Sequence, residues 1–171
     1  MAPAPPPGID LDGVAAAFGL PAGSAAAYRA ADHGSSEQDV FAVMLSDALV
    51  RIPTLRVAEA HARAGGRTWL YDFAWRGPTV GAGHGSDVPF IFGDSRSRYA
   101  ARFLGTPPSP DFGPLSDQLR QAWTGFARTG DPGWPRFDPE RQMARRWDTT
   151  PRDVADPLAV SRGIWRDREP S

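Results

Sequence analysis

No cysteine, lysine or asparagine occurs anywhere in the 171 residues. Without cysteine the chain can hold neither a disulfide framework nor a thiolate zinc site, and a cysteine nucleophile is excluded. Without lysine there is no Schiff-base amine and no Walker lysine, and without asparagine there is no N-linked glycan acceptor. All 19 basic residues are therefore arginine, set against 20 acidic ones for a formal net charge of -1. The excess of positive charge that drives phosphate-backbone binding is missing, so no nucleic-acid partner is expected. No apolar run approaches the roughly 20 residues that a membrane span needs. The opening Met1 to Gly8, with proline at positions 3, 5, 6 and 7, has neither a basic n-region nor an apolar h-region. It is not expected to be a signal peptide, and its prolines favour extended polyproline geometry. What the chain has in quantity is glycine and proline, 18 of each, with 41% hydrophobic residues. Its length suits a single globular unit.

Residues 1–35 read as a weakly structured Pro/Ala-rich leader with two short helical candidates, Val14 to Leu20 and Ala25 to Tyr28. From Ser36 the pattern sharpens. Ser36 and Asp39 suit a capping arrangement, and Val40, Phe41, Met44, Leu45 and Leu49 recur at helical spacing, predicting a helix over about 37–50. Pro53 opens a second helix with the stripe Leu55, Ala58, Ala62 and a stop at Gly65-Gly66. Thr68 to Trp75 is dense in aromatics on both parities, as in a strand covered on both faces. A Gly-rich stretch over residues 81–87 and an apolar run over 88–93 follow, then a proline-rich loop over 105–114 and a helix carrying Leu115, Leu119, Ala122, Trp123 and Phe126. The remainder alternates apolar patches with Pro and Asp. One visible strand without a partner suggests an incomplete domain, since a lone strand leaves its backbone unpaired.

Among the histidines, His33 lies in a turn and His61 on a helix with no carboxylate or histidine four residues away. His84 differs. Gly81, Gly83 and Gly85 give its backbone positive-φ freedom, and the aromatic strand before it supplies a rigid base from which a loop presents a side chain. An imidazole there can relay a proton between a hydroxyl and a leaving group, although a lone loop histidine is more often structural. Trp69, Tyr71, Phe73 and Trp75 admit two readings, core packing or an aromatic platform, of which packing is the stronger. The arginines at 141, 145, 146 and 152, balanced by acids at 138, 140, 148 and 153, read as a solvated face.

The run Gly81-Ala82-Gly83-His84-Gly85-Ser86-Asp87-Val88-Pro89-Phe90-Ile91-Phe92-Gly93 closely resembles the histidine loop of type-B carboxylesterases, the cholinesterase-like branch of the α/β-hydrolases that includes the p-nitrobenzyl esterases. Ser46-Asp47 with Arg51-Ile52-Pro53 and Arg56-Val57-Ala58 resembles the helical segment upstream, and Tyr71 to Trp75 the penultimate strand of the sheet. Trp123, Phe126-Ala127, Thr129-Gly130-Asp131-Pro132 and Trp134-Pro135 resemble the late helix and its exit. The series covers roughly residues 36–148 in family order. It implies an α/β fold, the C-terminal segment of an α/β-hydrolase over residues 36–171, made of late sheet strands, the histidine loop and covering helices.

The resemblance assigns His84 the part of general base and acid in a Ser-Glu-His triad acting on small carboxylic esters, with no metal or organic cofactor. Gly83 and Gly85 shape its loop. Asp87 stands where the family usually has Glu, three residues after the histidine, and reads as polar support of the loop. Asp47 reads as a structural acceptor, with Arg51 as a candidate ion-pair partner. Phe90 and Phe92 either border the acyl pocket or pack beneath the loop. The nucleophile is what the chain lacks. No G-x-S-x-G elbow exists: Gly93-Asp94-Ser95-Arg96-Ser97 lacks the second glycine and follows the histidine, and Ala22-Gly23-Ser24-Ala25-Ala26 lacks both. No Gly-Gly oxyanion loop is present, and the segment bearing the triad acid is expected upstream of Met1. The expectation is a C-terminal portion that carries only His84, is inactive alone and associates with the missing N-terminal part. A non-catalytic interaction module on the same scaffold is the alternative.

Overall fold

The computed structural model describes residues 10–31, 36–78 and 83–166. In chain order these form α1 (Leu11–Ala17), α2 (Ser24–Ala30), α3 (Glu37–Ser46), a π-helical turn (Asp47–Arg51), α4 (Ile52–Arg63), β1 (Tyr71–Phe73), α5 (Val88–Phe92), α6 (Arg98–Leu104), α7 (Phe112–Thr129), β2 (Met143–Trp147), β3 (Arg152–Ala155) and α8 (Ala159–Trp165). They divide into two compact units, one of His61–Pro157 and the other of Ala2–Ala60 with Leu158–Ser171. The proline-rich opening, His33, Gly81 and Ala82 lie outside the described residues.

The second unit is helical. Asp10 caps α1 by accepting from the amide of Gly13, and α3 begins on Ser36, whose hydroxyl oxygen accepts from the Asp39 amide at 3.2 Å and whose proton goes to the Asp39 carboxylate at 2.6 Å. That is a side-chain cap, as the spacing suggests, with the Asp39 carboxylate taking the Ser36 hydroxyl proton. Leu11, Val14, Ala25, Tyr28, Val40, Phe41, Met44, Ile52 and Trp165 share one buried cluster. The stretch expected to be a weakly structured leader is thus corrected over α1 and α2: each helix is too short to stand alone, but its apolar side enters this core. The two helices expected to meet near Pro53 run on without a break. Proline has no amide to donate and crowds the carbonyl four residues back, and the wider π turn before it, closed by Ile52 N–H donating to the Asp47 carbonyl, accommodates both.

The first unit is built on a mixed sheet in the order β1-β2-β3. β1 lies parallel to β2, with Tyr71 opposite Arg145, Asp72 opposite Arg146 and Phe73 opposite Trp147, and β2 pairs antiparallel with β3. The expectation of a lone strand is corrected here: β1 pairs with β2, whose Arg145 and Arg146 hid it in the sequence. Arg145 lies over the Trp147 ring at 5.3 Å and reaches Asp153 at 3.0 Å, while Ala144 and Trp147 are buried. Arginine stems cover apolar surface while their heads stay wet, so a strand need not look hydrophobic. The predicted strand over 68–75 contracts to Tyr71–Phe73. Trp75, Phe90, Ala100, Leu104, Leu115, Leu119 and Trp147 form the core of this unit.

Candidate functional site

The described part of the histidine loop, residues 83–87, is a turn that feeds directly into α5. Ser86 N–H donates to the Gly83 carbonyl at 3.0 Å, and Val88 N–H to the Gly85 carbonyl at 3.2 Å. Gly85 adopts φ +78°, a left-handed conformation that glycine enters without steric cost. His84 occupies the apex, exposed to solvent. Ser86 is only 2% exposed and its hydroxyl oxygen accepts from Gly83 N–H at 3.4 Å, which closes the turn from inside.

Two tyrosines tie this turn to distant elements. Tyr71, at the start of β1, donates its hydroxyl to Asp87 Oδ2 at 3.0 Å. Burial, followed by the charge of Asp87 and that hydrogen bond, pushes the Tyr71 phenol above its ordinary range, so it is a hydrogen-bond donor at neutral pH. Tyr99, on α6, donates to the Gly85 carbonyl at 2.9 Å. The Asp87 carbonyl receives the amides of Phe90 and Ile91, so one residue supports the loop through its side chain and opens α5 through its backbone.

The two phenylalanines of the motif separate. Phe90 is fully buried, packed against the rings of Phe73, Trp75 and Phe112, and Ser116 donates to its carbonyl at 2.7 Å. Phe92 is 76% exposed. Asp47 belongs to the other unit, where it is fully buried, accepts from the Tyr28 hydroxyl at 2.7 Å and pairs with Arg51 at 3.1 Å. Arg56 donates to the Trp165 carbonyl at 3.3 Å. His61 is exposed and its Nδ1 lies 2.7 Å from the Thr68 hydroxyl.

Of the two serines at the nucleophile position of the near-motifs, Ser95 and Ser24, the second is engaged within a turn, and Ser97, which stands where the second glycine would be, is a helix cap. Ser97 caps α6 by accepting from Ala100 N–H at 3.0 Å, and Asp94 accepts from the amides of Arg96 and Ser97. Ser24 donates to the Pro21 carbonyl at 2.7 Å. A groove of about 310 Å³ between α5 and α7, lined by Ile91, Asp117, Arg120, Gln121, Trp123 and Thr124, does not include His84. Among the described residues no group of three His, Asp or Glu gathers as metal ligands would. Sequence reasoning missed Ser86 and Tyr99 altogether and read Tyr71 only as packing. Their roles are hydrogen bonds across elements, which no local spacing announces.

The arrangement supplies one exposed imidazole on a braced turn. Comparison with known proteins places it. The model of the carboxylesterase family matches residues 24–160, beyond residues 36–148 on both sides. Carboxylesterase 1D of Rattus norvegicus is 28% identical over 118 residues, 65% of this chain and 21% of that protein. Acetylcholinesterase of Gallus gallus is 28% identical over 147 residues, 78% of this chain and 18% of that protein. The crystal structure of a carboxylesterase from Geobacillus stearothermophilus superposes with a TM-score of 0.77 at 26% identity, covering 91% of this chain and 34% of that one. The chain spans about a fifth of the length of these curated relatives, and its fold is part of an α/β-hydrolase. It belongs to the carboxylesterase family.

Proposed function

We propose that this chain is the C-terminal portion of a serine carboxylesterase and that His84 is the proton carrier of its triad. The observation that carries this reading is the position of His84: exposed at the apex of a turn that is held from β1 and from α6, within a segment that matches the family. In the complete site the imidazole takes the proton of a serine hydroxyl as that oxygen attacks the ester carbonyl. It then returns the proton to the departing alcohol, leaving an acyl-enzyme. Water repeats the sequence in the second half: its proton passes to the imidazole, its oxygen to the acyl carbon, and the serine is released protonated. Asp87 acts on the loop and not as the triad acid, since its Oδ2 is engaged by Tyr71.

The serine and the triad Glu come, in this proposal, from polypeptide outside these residues, because no G-x-S-x-G occurs in them. The surface offered to that polypeptide includes the half-exposed rings of Trp123 and Phe126 on α7 and the exposed Phe92 at the end of α5. The same rings support a second reading, a non-catalytic interaction module, for an exposed aromatic surface seeks a partner whatever the chemistry.

Reading the coding DNA immediately upstream of Met1 separates the two. A serine elbow of the G-E-S-A-G type followed by a Glu-bearing segment is the expected finding. Unrelated coding sequence there overturns the esterase reading in favour of the module.

A further inference from the structure

His84 projects from the turn, and the backbone of that turn sets where its Cα–Cβ bond points. Most bonds of that turn are local to it, between Gly83 and Ser86 and between Gly85 and Val88. Among the described residues, two hydrogen bonds reach it from elsewhere, and they act at different places. Tyr71 holds the far side, at the carboxylate of Asp87. Tyr99 holds the carbonyl of Gly85, the residue directly after the histidine.

We propose that Tyr99 is a positioning residue: its hydroxyl locks the Gly85 peptide and thereby sets the direction in which His84 projects. Gly85 and Tyr99 interlock. A Cβ at position 85 would lie 2.5 Å from the Tyr99 hydroxyl oxygen, so the phenol occupies the space that a side chain there would need. The Gly85 carbonyl accepts twice, from Val88 N–H within the turn and from the phenol outside it. Both bonds restrain the peptide plane between Gly85 and Ser86, one residue beyond His84, and so limit rotation of the backbone at Gly85, where φ is left-handed.

Tyr99 can impose this because it is itself held. Its ring stands edge-on to Phe103, one turn further along α6, at 5.2 Å, and Phe103 is buried. The start of α6 is fixed by the Ser97 cap and the Asp94 carboxylate. With 41% of its surface exposed, Tyr99 contributes less burial than a core aromatic would, and its hydroxyl has a defined acceptor in a solvated place. The catalytic meaning of the arrangement rests on the function proposed for His84, whereas the restraint itself does not.

The test is Tyr99→Phe in the full chain, since phenylalanine keeps the ring and its contact with Phe103 while removing the only atom that reaches Gly85. The chain has three histidines, so selective 13C labelling of their rings gives three assignable sets of signals, with His84→Ala and His61→Ala as assignments. The expected result is faster internal motion of the His84 Cε1–H bond by 13C relaxation, with the His61 signal unchanged. Amide hydrogen exchange at Ser86 and Val88 should accelerate about tenfold while β1 stays protected. A fold-stabilising role alone would lower the melting temperature and leave the His84 ring dynamics as they were. A second variant guards against a silent first one. Gly85→Ala should disturb His84 strongly in the parent and less in the Y99F background, because the clash with the hydroxyl is then gone. His84 relaxation identical to the parent in Y99F, or equal effects of Gly85→Ala in both backgrounds, overturns the proposal. A His84 that proves dispensable in the assembled esterase would instead overturn the function proposed above and leave the restraint standing.

Discussion

Burial of polar side chains concentrates on Tyr28, Asp47 and Trp165. Trp165 Nε1–H donates to the Tyr28 hydroxyl at 2.6 Å, and that hydroxyl donates to Asp47 Oδ2 at 2.7 Å, while Arg51 reaches the other carboxylate oxygen at 3.1 Å. Asp47→Ala removes the acceptor from a buried phenol and leaves Arg51 without its anion, so urea unfolding should show a loss of about 3 kcal/mol. Tyr28→Phe removes the acceptor of the Trp165 indole N–H and one donor to the Asp47 carboxylate, which keeps Arg51, and should cost about 1–3 kcal/mol. The phenols also carry a pH dependence. Burial and then the charge of Asp47 raise the Tyr28 pKa above the ordinary value of 10.0, and burial with Asp87 does the same for Tyr71. A raised pKa means that the folded state keeps protons which the unfolded state gives up. These phenols therefore contribute stability that is fully present below pH 10 and is lost as pH rises above it. Unfolding midpoints should fall above pH 10, and less steeply in a Tyr28→Phe, Tyr71→Phe double variant. A slope unchanged in the double variant would refute the assignment. At this scale the sequence was readable only where signals are local. His84 stands out because glycines surround it, and Ser36 because its capping partner is three residues away. Asp47 was legible as an acceptor through the resemblance, but its phenol donor comes from α2 and is itself held by Trp165 of α8, and only folding brings the three together.

Elements follow the same logic with different exceptions. α7 was legible because its apolar positions repeat at helical spacing and Gly130 ends it in the left-handed conformation, φ +72°. Its start moved, from a proline-rich loop to Phe112, because Pro114 falls in the first turn, where a missing amide costs nothing. β2 was not legible, since pattern reading weighs residue identity and cannot see that the Arg145 guanidinium lies over Trp147. Two glycines inside helices offer a check on how much of the helical stability is intrinsic. Gly125 in α7 would meet nothing closer than the Asp131 carbonyl at 3.5 Å if it carried a Cβ, and Gly163 in α8 would meet nothing within 4 Å. Neither has a positive φ. Replacing glycine by alanine at such sites lowers the entropy of the unfolded chain and removes the helix penalty, so Gly125→Ala and Gly163→Ala should each add about 0.5–1 kcal/mol in thermal or urea unfolding. A loss in either would mean that the helix must move at that point.

For the whole molecule, incompleteness does not follow from the sheet, since β1 pairs with β2 and β2 in turn with β3. What bears on it is chemical: a chain matching the carboxylesterase family over residues 24–160 contains no serine elbow, and of the two near-motif serines, Ser95 and Ser24, the second is engaged in a turn. Loss of the nucleophile from a serine hydrolase lowers kcat by roughly a millionfold, and what survives comes from the oxyanion hole and substrate binding. Neither of those is supplied by the groove beside α7, which excludes His84. His84 is nevertheless exposed, as is His61, and any free imidazole attacks an activated ester slowly. The purified chain should therefore consume p-nitrophenyl acetate with a rate linear in ester concentration, no burst of p-nitrophenol, and a rate constant no greater than that of the same concentration of histidine side chains. His84→Ala should lower that rate only by its share among the exposed imidazoles. Saturation with substrate that disappears in His84→Ala would show that a nucleophile and a binding site reside in these residues, and the reading of the chain as the histidine-bearing part of a larger esterase would fail.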